Sequence, residues 1–396
     1  MPVFNFDEII DRNGTDALKT DFLEERFGRK DLIPLWIADM DFPAPPAIAE
    51  AVTERCKHGI FGYTHHCEGY HEAIIDWLSE QHGWPVKQEW ITFIPGVVKG
   101  IAFVIDCFTT QQNRIVIQPP VYQPFSTIPA LHHRHIVTNP LILDEGSGVY
   151  NMDLEHLRSI ITPETKLLIL CNPHNPGGRV WTRTELAEIA EICYQNDILV
   201  ISDEIHSDLA MQNHKHIPFA SVSEHAAQNS ITLMAPSKTF NMAGFVSSFA
   251  VVPNPEIRKK FFAFLESSEL NQAHCFASIA TKAAYRNGLP WLKEVKEYIW
   301  QNCCFVDQYL KENIPQIKAL KPQASFLIWL DCRGLKLPQN ELADLFVKDA
   351  KLALNDGAMF GKEGIGFMRM NVGTPRRILE EALSNLKIAV DKCTIK

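Results

Sequence analysis

Short apolar segments alternate with helical patterns between about residues 90 and 250, and this alternation limits the fold more than any other feature of the chain. The segments are rich in β-branched and aliphatic residues, which favour strands, and apolar residues recur at helical spacing between them. Strands and helices that alternate in this way form a mostly parallel sheet wrapped by helices. The pattern predicts six such strands, in ITFI, RIVIQ, KLLILC, ILVIS, ITLMA and SFAVV.

The clearest helix is predicted in TRTELAEIAEICYQN. Thr182 and Glu185 have the spacing of a capping box, in which each residue satisfies a free backbone donor of the first turn. The apolar residues that follow recur at helical intervals, and Asn196 stands where a C-cap is expected.

The pattern changes after Pro290 to longer amphipathic helices with a few strands between them. Helices are predicted in WLKEVKEYIWQNCCFVDQYLKENI, ELADLFVKDAKLAL and RRILEEALSNLKIAVDK, and strands in SFLIWL and GFMRMNV. We therefore expect a large α/β domain at residues 46–288 and a smaller α+β domain at 289–396. Residues 1–45 are expected to pack on the small domain and on the cleft that holds the site.

Composition excludes several classes of partner. The formal net charge of −9 argues against a nucleic-acid partner, which requires a basic face. The N-terminus lacks the basic and apolar regions of a signal peptide, and the longest apolar stretch, GIAFVIDCF, is too short to cross a membrane. Ten cysteines without a CxxC pair fit a reducing cytoplasm and predict no metal site.

Polar loops follow four of the predicted strands. They are PGVVKG after ITFI, NPHNPGG after KLLILC, DEIHSD after ILVIS and PSKTF after ITLMA. Since ligands of open parallel sheets bind beyond the carboxyl ends of the strands, these loops are expected to converge on one site.

Each loop taken alone also has a structural explanation. Asp203 or Ser202 is able to cap a helix, and NPHNPGG consists of ordinary turn residues. A metal site is weakly supported, because its candidate ligands spread over more than one face: Asp203, Glu204, His206 and Asp208. The histidine-rich segments HHRH (132–135) and HKH (214–216) are interpreted as solvated loops.

Taken together, the loops supply the groups that pyridoxal phosphate requires. This cofactor needs a lysine for a Schiff base, a carboxylate for its ring nitrogen, a donor for its ring oxygen and a helix N-terminus for its phosphate. The candidates are Lys238 as the amine, Asp203 as the carboxylate and Asn175 as the donor. The helix that Gly96, Val97 and Val98 open offers free N–H groups to the phosphate.

The motifs NPHNPGG, SDEIHSDL and APSKTFNMAG, in this order and at these separations, resemble the fold-type I pyridoxal-phosphate enzymes of the class I/II aminotransferase superfamily. The resemblance covers nearly the whole chain and implies a large, mostly parallel seven-stranded sheet. WIADMDFPAP, GYTHHCEGY and the histidine of SDEIH are similar to the branch of cystathionine β-lyases and cysteine C–S lyases.

The resemblance also implies roles for individual residues around the cofactor. Lys238, Asp203 and Asn175 keep the roles given above. The further positions are Tyr122 stacked on the ring, His206 where many aminotransferases have a tyrosine near the ring oxygen, and Ser237 at the phosphate.

The resemblance implies that one further residue binds the substrate and that another acts across the subunit interface. Arg369 in FMRMNVGTP matches the arginine that binds the substrate α-carboxylate, beside Tyr122 and Asn175, and a guanidinium suits this bidentate task. Tyr63 in FGYT matches a tyrosine that reaches the phosphate of the neighbouring subunit, so the resemblance implies a homodimer with shared sites.

The sequence departs from the superfamily at the phosphate. Many aminotransferases have a serine three residues before the lysine and an arginine eight residues after it, where this chain has Ala235 and Val246. The phosphate ligands that replace them are not evident from the sequence.

The branch resemblance implies β-elimination from L-cystathionine or a related L-cysteine thioether, with release of thiol, pyruvate and ammonia. Two alternatives stay open at this point. The first is an aminotransferase for aromatic or other amino acids, built from the same groups. The second is a cofactor-bound regulatory protein with little turnover.

Overall fold

The computed structural model describes residues 4–394 of the chain. Its large sheet contains seven strands, numbered here in chain order: β1 (Ile91–Ile94), β2 (Arg114–Ile117), β3 (His135–Thr138), β4 (Thr165–Cys171), β5 (Leu199–Asp203), β6 (Ser230–Met234) and β7 (Ser248–Val251). Their spatial order is β1, β7, β6, β5, β4, β2, β3. Strand β7 is antiparallel to β1 and β6, and the four other pairs are parallel. The predicted mostly parallel sheet of seven strands is confirmed.

The strands of the sheet centre are buried on both faces, which explains their nearly continuous apolar sequences. Successive side chains of β4 point to opposite faces, so Ile169 lies in one core cluster with Ile105 and Leu168 lies in another with Ile189. Each such side chain, when fully buried, stabilises the fold by about 1.5–3 kcal/mol.

Helices cover both faces of the sheet and connect its strands. The capping box of the clearest helix is present, because Thr182 Oγ1 accepts from the Glu185 N–H and Glu185 Oε2 accepts from the Thr182 N–H. The helices up to residue 288 are Leu18–Asp21, Leu23–Phe27, Pro46–Lys57, Tyr70–His82, Val97–Phe108, Pro124–Leu131, Leu154–Ile160, Arg183–Gln195, Glu224–Gln228, Pro255–Ser267 and Ala277–Asn287.

The C-terminal part contains an antiparallel sheet flanked by helices. Its four strands are, in spatial order, Lys318–Leu320, Leu327–Asp331, Phe367–Asn371 and Asn355–Asp356. The helices are Leu289–Asn313, Gln339–Asp344, a π-helical turn Leu345–Asp349, and Arg376–Thr394. This antiparallel α+β architecture is the one predicted for the C-terminal region.

Shorter elements complete the chain. They are the hairpin Ile142–Asp144 and Val149–Asn151, and the 3₁₀ turns Gln88–Trp90, Ser207–Leu209, Phe219–Ser221, Ala243–Phe245, Arg333–Leu335, Gly357–Phe360 and Lys362–Gly364.

One predicted helix is shorter than expected. The segment ELADLFVKDAKLAL was predicted as a single helix, but the helical part ends at Asp349. Lys351 then takes a left-handed backbone conformation with φ of 56°, and Leu352–Ala353 forms a strand parallel to Ile33–Pro34. Backbone pairing with the N-terminal segment therefore overrides the helical pattern of these residues.

The pairing of Ile33–Pro34 also fixes the segment that follows it. Residues 36–42 are held further by ion pairs, since Arg12 binds Asp39 and the fully buried Lys19 binds Asp41, each at 2.8 Å. This segment runs to the carboxyl edge of the large sheet. Across residues 4–394, no helix is long and apolar enough to span a bilayer.

Candidate active site

A cavity of about 300 Å³ opens at the carboxyl ends of the parallel strands. The loops after β1, β4, β5 and β6 all contribute to its wall, as the rule for open parallel sheets predicts. The structure brings together nine of the predicted residues as lining: Gly96, Val97, Val98, Tyr122, Asn175, Asp203, His206, Ser237 and Lys238.

Lys238 lies in the turn after β6, with its side chain partly exposed to the cavity. Its Nζ donates a hydrogen bond of 2.6 Å to the carbonyl of Ala38. Burial lowers the pKa of the Lys238 ammonium to about 8, although the nearby carboxylates of Asp39 and Asp203 act in the opposite direction. This lysine therefore loses its proton at a lower pH than an ordinary lysine does.

Asp203 is the last residue of β5 and is 5% exposed. Burial raises the pKa of its carboxyl group to about 7, while the N–H of Ile205, which donates to Oδ1 at 3.1 Å, and the charge of Lys238 favour the ionised form. This bond is a local turn contact and not the helix cap considered above, because the 3₁₀ turn Ser207–Leu209 that follows has no side-chain cap. A cation next to Oδ2 would stabilise the charged carboxylate further.

His206 lies beside Asp203 on the cavity wall. Burial, together with the charges of Lys238 and Arg369, lowers the pKa of its imidazole to about 3, so the ring is neutral at pH 7. Its Nδ1 is buried and has no hydrogen-bond partner in the structure. A ligand in the cavity is thus able to satisfy a polar atom that the protein leaves unpaired.

Arg369 projects from the strand Phe367–Asn371 and is 4% exposed. Its Nη1 donates to Asn175 Oδ1 at 2.9 Å, and its Nη2 donates to Asn355 Oδ1 at 2.6 Å and to the Trp36 carbonyl at 3.2 Å. The Nε group is buried without a partner. These bonds fix the guanidinium next to Asn175, which itself lines the cavity.

The helix Val97–Phe108 points its N-terminus at the cavity. Gly96 precedes it with φ of +118°, a conformation that favours glycine, and no side chain caps the first turn. The free N–H groups and the helix dipole make this end suitable for an anion. Lys99 also lines the cavity here and supplies a cation that the sequence analysis did not single out.

The positions that depart from the superfamily lie at the same end. Val246 lines the cavity in a left-handed conformation with φ of 48°, and Ala235 is buried. The serines of the wall are Ser237, Ser247 and Ser248, of which Ser247 is already bonded to Thr281 at 2.7 Å.

Tyr63 does not line the cavity of its own chain. Its side chain is fully exposed, in an irregular segment where Phe61 packs against Phe276. Its contact with the phosphate of a neighbouring subunit stays a prediction.

Two of the four candidate metal ligands, Glu204 and Asp208, lie behind the cavity and bind separate protein partners. Asp208 accepts hydrogen bonds from Trp77, Thr239 and the imidazole of His82, at 2.7–2.9 Å. Glu204 lies 2.7 Å from His216 Nε2. Within residues 4–394, no three histidine, cysteine or carboxylate side chains are grouped to hold a metal ion.

The interpretation of the histidine-rich segments as solvated loops is wrong in two places. His216 is 2% exposed, because its pairing with Glu204 satisfies the ring in the interior. His135 is exposed but begins β3, the edge strand that the pattern analysis did not find.

The backbone carbonyls of Trp36 and Ala38 are further functional groups that were not predicted from the sequence. The segment WIADMDFPAP was recognised there, but no role was predicted for these two residues. Their carbonyls accept from Arg369 and Lys238, and a backbone acceptor requires no particular side chain.

A seven-stranded, mostly parallel sheet with a lysine, a carboxylate and a buried arginine at its carboxyl edge defines an aminotransferase-like enzyme. The chain belongs to the family "Aminotransferase class I and II", whose pattern matches residues 30–386.

Three similar proteins match along nearly their whole length. Cystathionine beta-lyase PatB of Bacillus subtilis (strain 168) is 44% identical over 387 residues, which cover 98% of this chain and 100% of that protein. A PLP-bound putative aminotransferase from Clostridium difficile 630 is 42% identical, with a TM-score of 0.95 and coverage of 98% and 100%. A PLP-bound C–S lyase from Staphylococcus hominis is 32% identical, with a TM-score of 0.91 and coverage of 98% of each chain.

Proposed function

We propose that this enzyme is a pyridoxal-phosphate-dependent C–S lyase that cleaves L-cystathionine or a related L-cysteine thioether. The products are a thiol, pyruvate and ammonia. The observation that carries the proposal is the position of Lys238, with its lowered pKa, on the same cavity as Asp203 and beside Arg369. The similarity to PatB over the whole chain favours elimination among the reactions that such a site supports.

The residues present fit pyridoxal phosphate. Each polar part of that molecule finds a donor or acceptor in the site. These are the unpaired Nδ1 of His206, the buried carboxyl of Asp203 and the uncapped helix after Gly96. Lys238 would hold its aldehyde carbon, and Tyr122 would stack on its ring. When bound, pyridoxal phosphate supplies an electron sink for the pair left by a broken Cα–H bond.

The protein groups then have separate tasks in the reaction. Arg369 holds the substrate α-carboxylate and so orients the Cα–H bond. The amine of Lys238 would take the Cα proton as general base, a task for which a pKa near 8 is suited. The carboxylate of Asp203 would stabilise a positive charge on the ring nitrogen of the bound cofactor, which would favour loss of that proton.

Elimination follows when Cβ carries a thiolate leaving group. The Cβ–S bond breaks and its electron pair leaves with the sulfur, which takes up a proton to give the thiol. Water then converts the remaining three-carbon unit to pyruvate and ammonia. No keto acid is consumed in this sequence, which separates it from amino transfer.

The second candidate is an aminotransferase, favoured by the similarity to the Clostridium difficile protein. It would use the same residues and would return the proton to the cofactor carbon instead of expelling a thiolate. A regulatory protein with little turnover is the third candidate, and the complete set of catalytic groups disfavours it.

The rates of elimination and amino transfer decide among these functions. We expect pyruvate and free thiol from L-cystathionine or an S-alkyl-L-cysteine without added keto acid, and much slower transfer from L-alanine or L-phenylalanine to 2-oxoglutarate. Faster amino transfer across a panel of thioethers would favour the aminotransferase. A yellow protein that releases no pyruvate or keto acid from any amino acid would favour the regulatory function.

The assembly and compartment are also part of this proposal. A homodimer with shared sites is supported by the exposed apolar side chains of Ile60, Phe61 and Tyr63 on one segment. A cytoplasmic location is supported by the ten cysteines, all of them free thiols in the structure.

A further inference from the structure

A second cavity, of about 430 Å³, lies at the junction between the large sheet domain and the C-terminal part. Its walls are the end of helix Tyr70–His82, the segment 207–216 that follows β5, and the first three turns of helix Leu289–Asn313. It shares no lining residue with the cavity that contains Lys238.

Basic groups dominate the lining of this junction cavity, although the chain as a whole is acidic. The positive side chains are those of Lys215, Lys293 and Lys296, and the imidazoles of His82, His214 and His216 also line the cavity. A cluster of this kind attracts anions, particularly where low-dielectric walls limit screening.

Two carboxylates line the cavity, and both are engaged. Asp208 is buried and receives hydrogen bonds from Trp77, His82 and Thr239. Glu297 is exposed to solvent and accepts from Gln301 at 3.1 Å. The three ammonium groups therefore exceed the negative charge that is available to them.

Lys296 is the least exposed of these three lysines, none of which makes a hydrogen bond or ion pair within residues 4–394. It is half-buried, and burial lowers the pKa of its ammonium group while the charge of Asp208 opposes that change.

From these observations we infer that the junction cavity binds a phosphate dianion, either inorganic phosphate or the phosphate group of a small ester. Lysine binds phosphate as a point charge, and three lysines from two sides of the cavity match the charge of a dianion. Such a ligand would connect the segment 207–216 with the helix Leu289–Asn313. It would also lie next to Asp208. The Oδ2 of this carboxylate accepts a hydrogen bond from Thr239, the residue that follows Lys238 in the chain.

The test is calorimetric titration of the cofactor-saturated enzyme with inorganic phosphate and, separately, with glycerol phosphate. Low ionic strength is used, where the Debye length is about 10 Å or more. We expect saturable binding of one ligand per chain, weakened by added sodium chloride. Tighter binding of the ester would identify an organic phosphate as the ligand, and equal or tighter binding of inorganic phosphate would identify the free ion.

Variants locate the binding in the junction cavity. Lys296→Met removes the half-buried charge and is expected to lower the association constant about tenfold, whereas the exposed Lys293→Met lowers it only a few-fold. Lys311→Met is the matched control, because this lysine lies on the same helix, is exposed and pairs with Asp307 outside the cavity. Circular dichroism and the cofactor absorbance verify that each variant folds and keeps its cofactor.

Two results would overturn the inference. One is the absence of saturable binding for both phosphates at low salt. The other is binding that Lys296→Met and Lys293→Met leave unchanged relative to Lys311→Met, since the ligand would then occupy another site.

Discussion

Replacement of Arg369 by lysine tests how the substrate is oriented. A guanidinium has five N–H donors, and in the structure three hydrogen bonds hold it to Asn175, Asn355 and the Trp36 carbonyl. The Nε–H and one N–H of Nη1 have no protein partner, so a substrate carboxylate would bind at Nη1 or replace one of the protein acceptors. A lysine ammonium has three donors on one nitrogen, so it is unable to satisfy the three protein acceptors and also bind a carboxylate.

The expected loss follows from that count of donors. Arg369→Lys removes at least one charge-assisted hydrogen bond to the substrate, worth about 1.5–3 kcal/mol, which corresponds to a decrease of roughly 10- to 100-fold in kcat/KM. The same decrease is expected for elimination and for amino transfer, because both reactions use the α-carboxylate.

The assay is pyruvate formation from L-cystathionine by enzyme saturated with cofactor. Arg183→Lys is the control, since Arg183 is exposed and bonds only to backbone carbonyls at the surface; its kcat/KM should equal that of the wild type. If Arg369→Lys retains kcat/KM within about threefold with full cofactor content, the assigned carboxylate contact is wrong.

Four further predictions concern the groups around the cofactor. Lys238→Ala should fold but lose the visible absorbance of the bound cofactor and about 10²- to 10⁴-fold in rate; an active alanine variant would remove the central assignment. Asp203→Asn should hold the cofactor poorly and lose at least about tenfold in kcat, because a neutral amide does not stabilise a charged ring nitrogen; a rate near that of the wild type would leave Asp203 with only its bond to Ile205. Mixed dimers of Tyr63→Ala and Lys238→Ala should recover activity that neither parent has, since one site then keeps both residues; activity no higher than the sum of the parents would place Tyr63 outside the partner's site. The rate at which apoenzyme regains its cofactor should rise about tenfold per pH unit and level off above pH 8, because the neutral amine reacts and the pKa of Lys238 is about 8; a rate that continues to rise to pH 10 would contradict this pKa.

The large sheet was predictable because its central strands are buried on both faces. Such strands are nearly continuous apolar runs, and six of the seven were identified from that pattern. The seventh, His135–Thr138, lies at the edge of the sheet, where none of its side chains is fully buried. Its sequence therefore carries a histidine and a threonine among its apolar residues and gives a weak signal.

The arrangement of the site was predictable to the extent that sheet topology determines it. Loops at the carboxyl ends of parallel strands converge, so Asn175, Asp203 and Lys238 were expected on one cavity before any contact was known. The partners behind the cavity were not predictable in this way. Glu204 and His216 meet only through the fold of the segment between them, and nothing in the segment HKH distinguishes a buried histidine from a solvated one.

The contribution of Trp36 and Ala38 has a consequence for mutational scanning. Because their carbonyl oxygens hold Arg369 and Lys238, alanine substitution along this segment removes packing but leaves both acceptors in place. An alanine scan would therefore indicate that the segment only packs against its neighbours. A comparison of side chains at these positions would lead to the same conclusion. Only a change of the chain path, such as a deletion between the strand Ile33–Pro34 and Phe42, would move the acceptors and disturb both residues together.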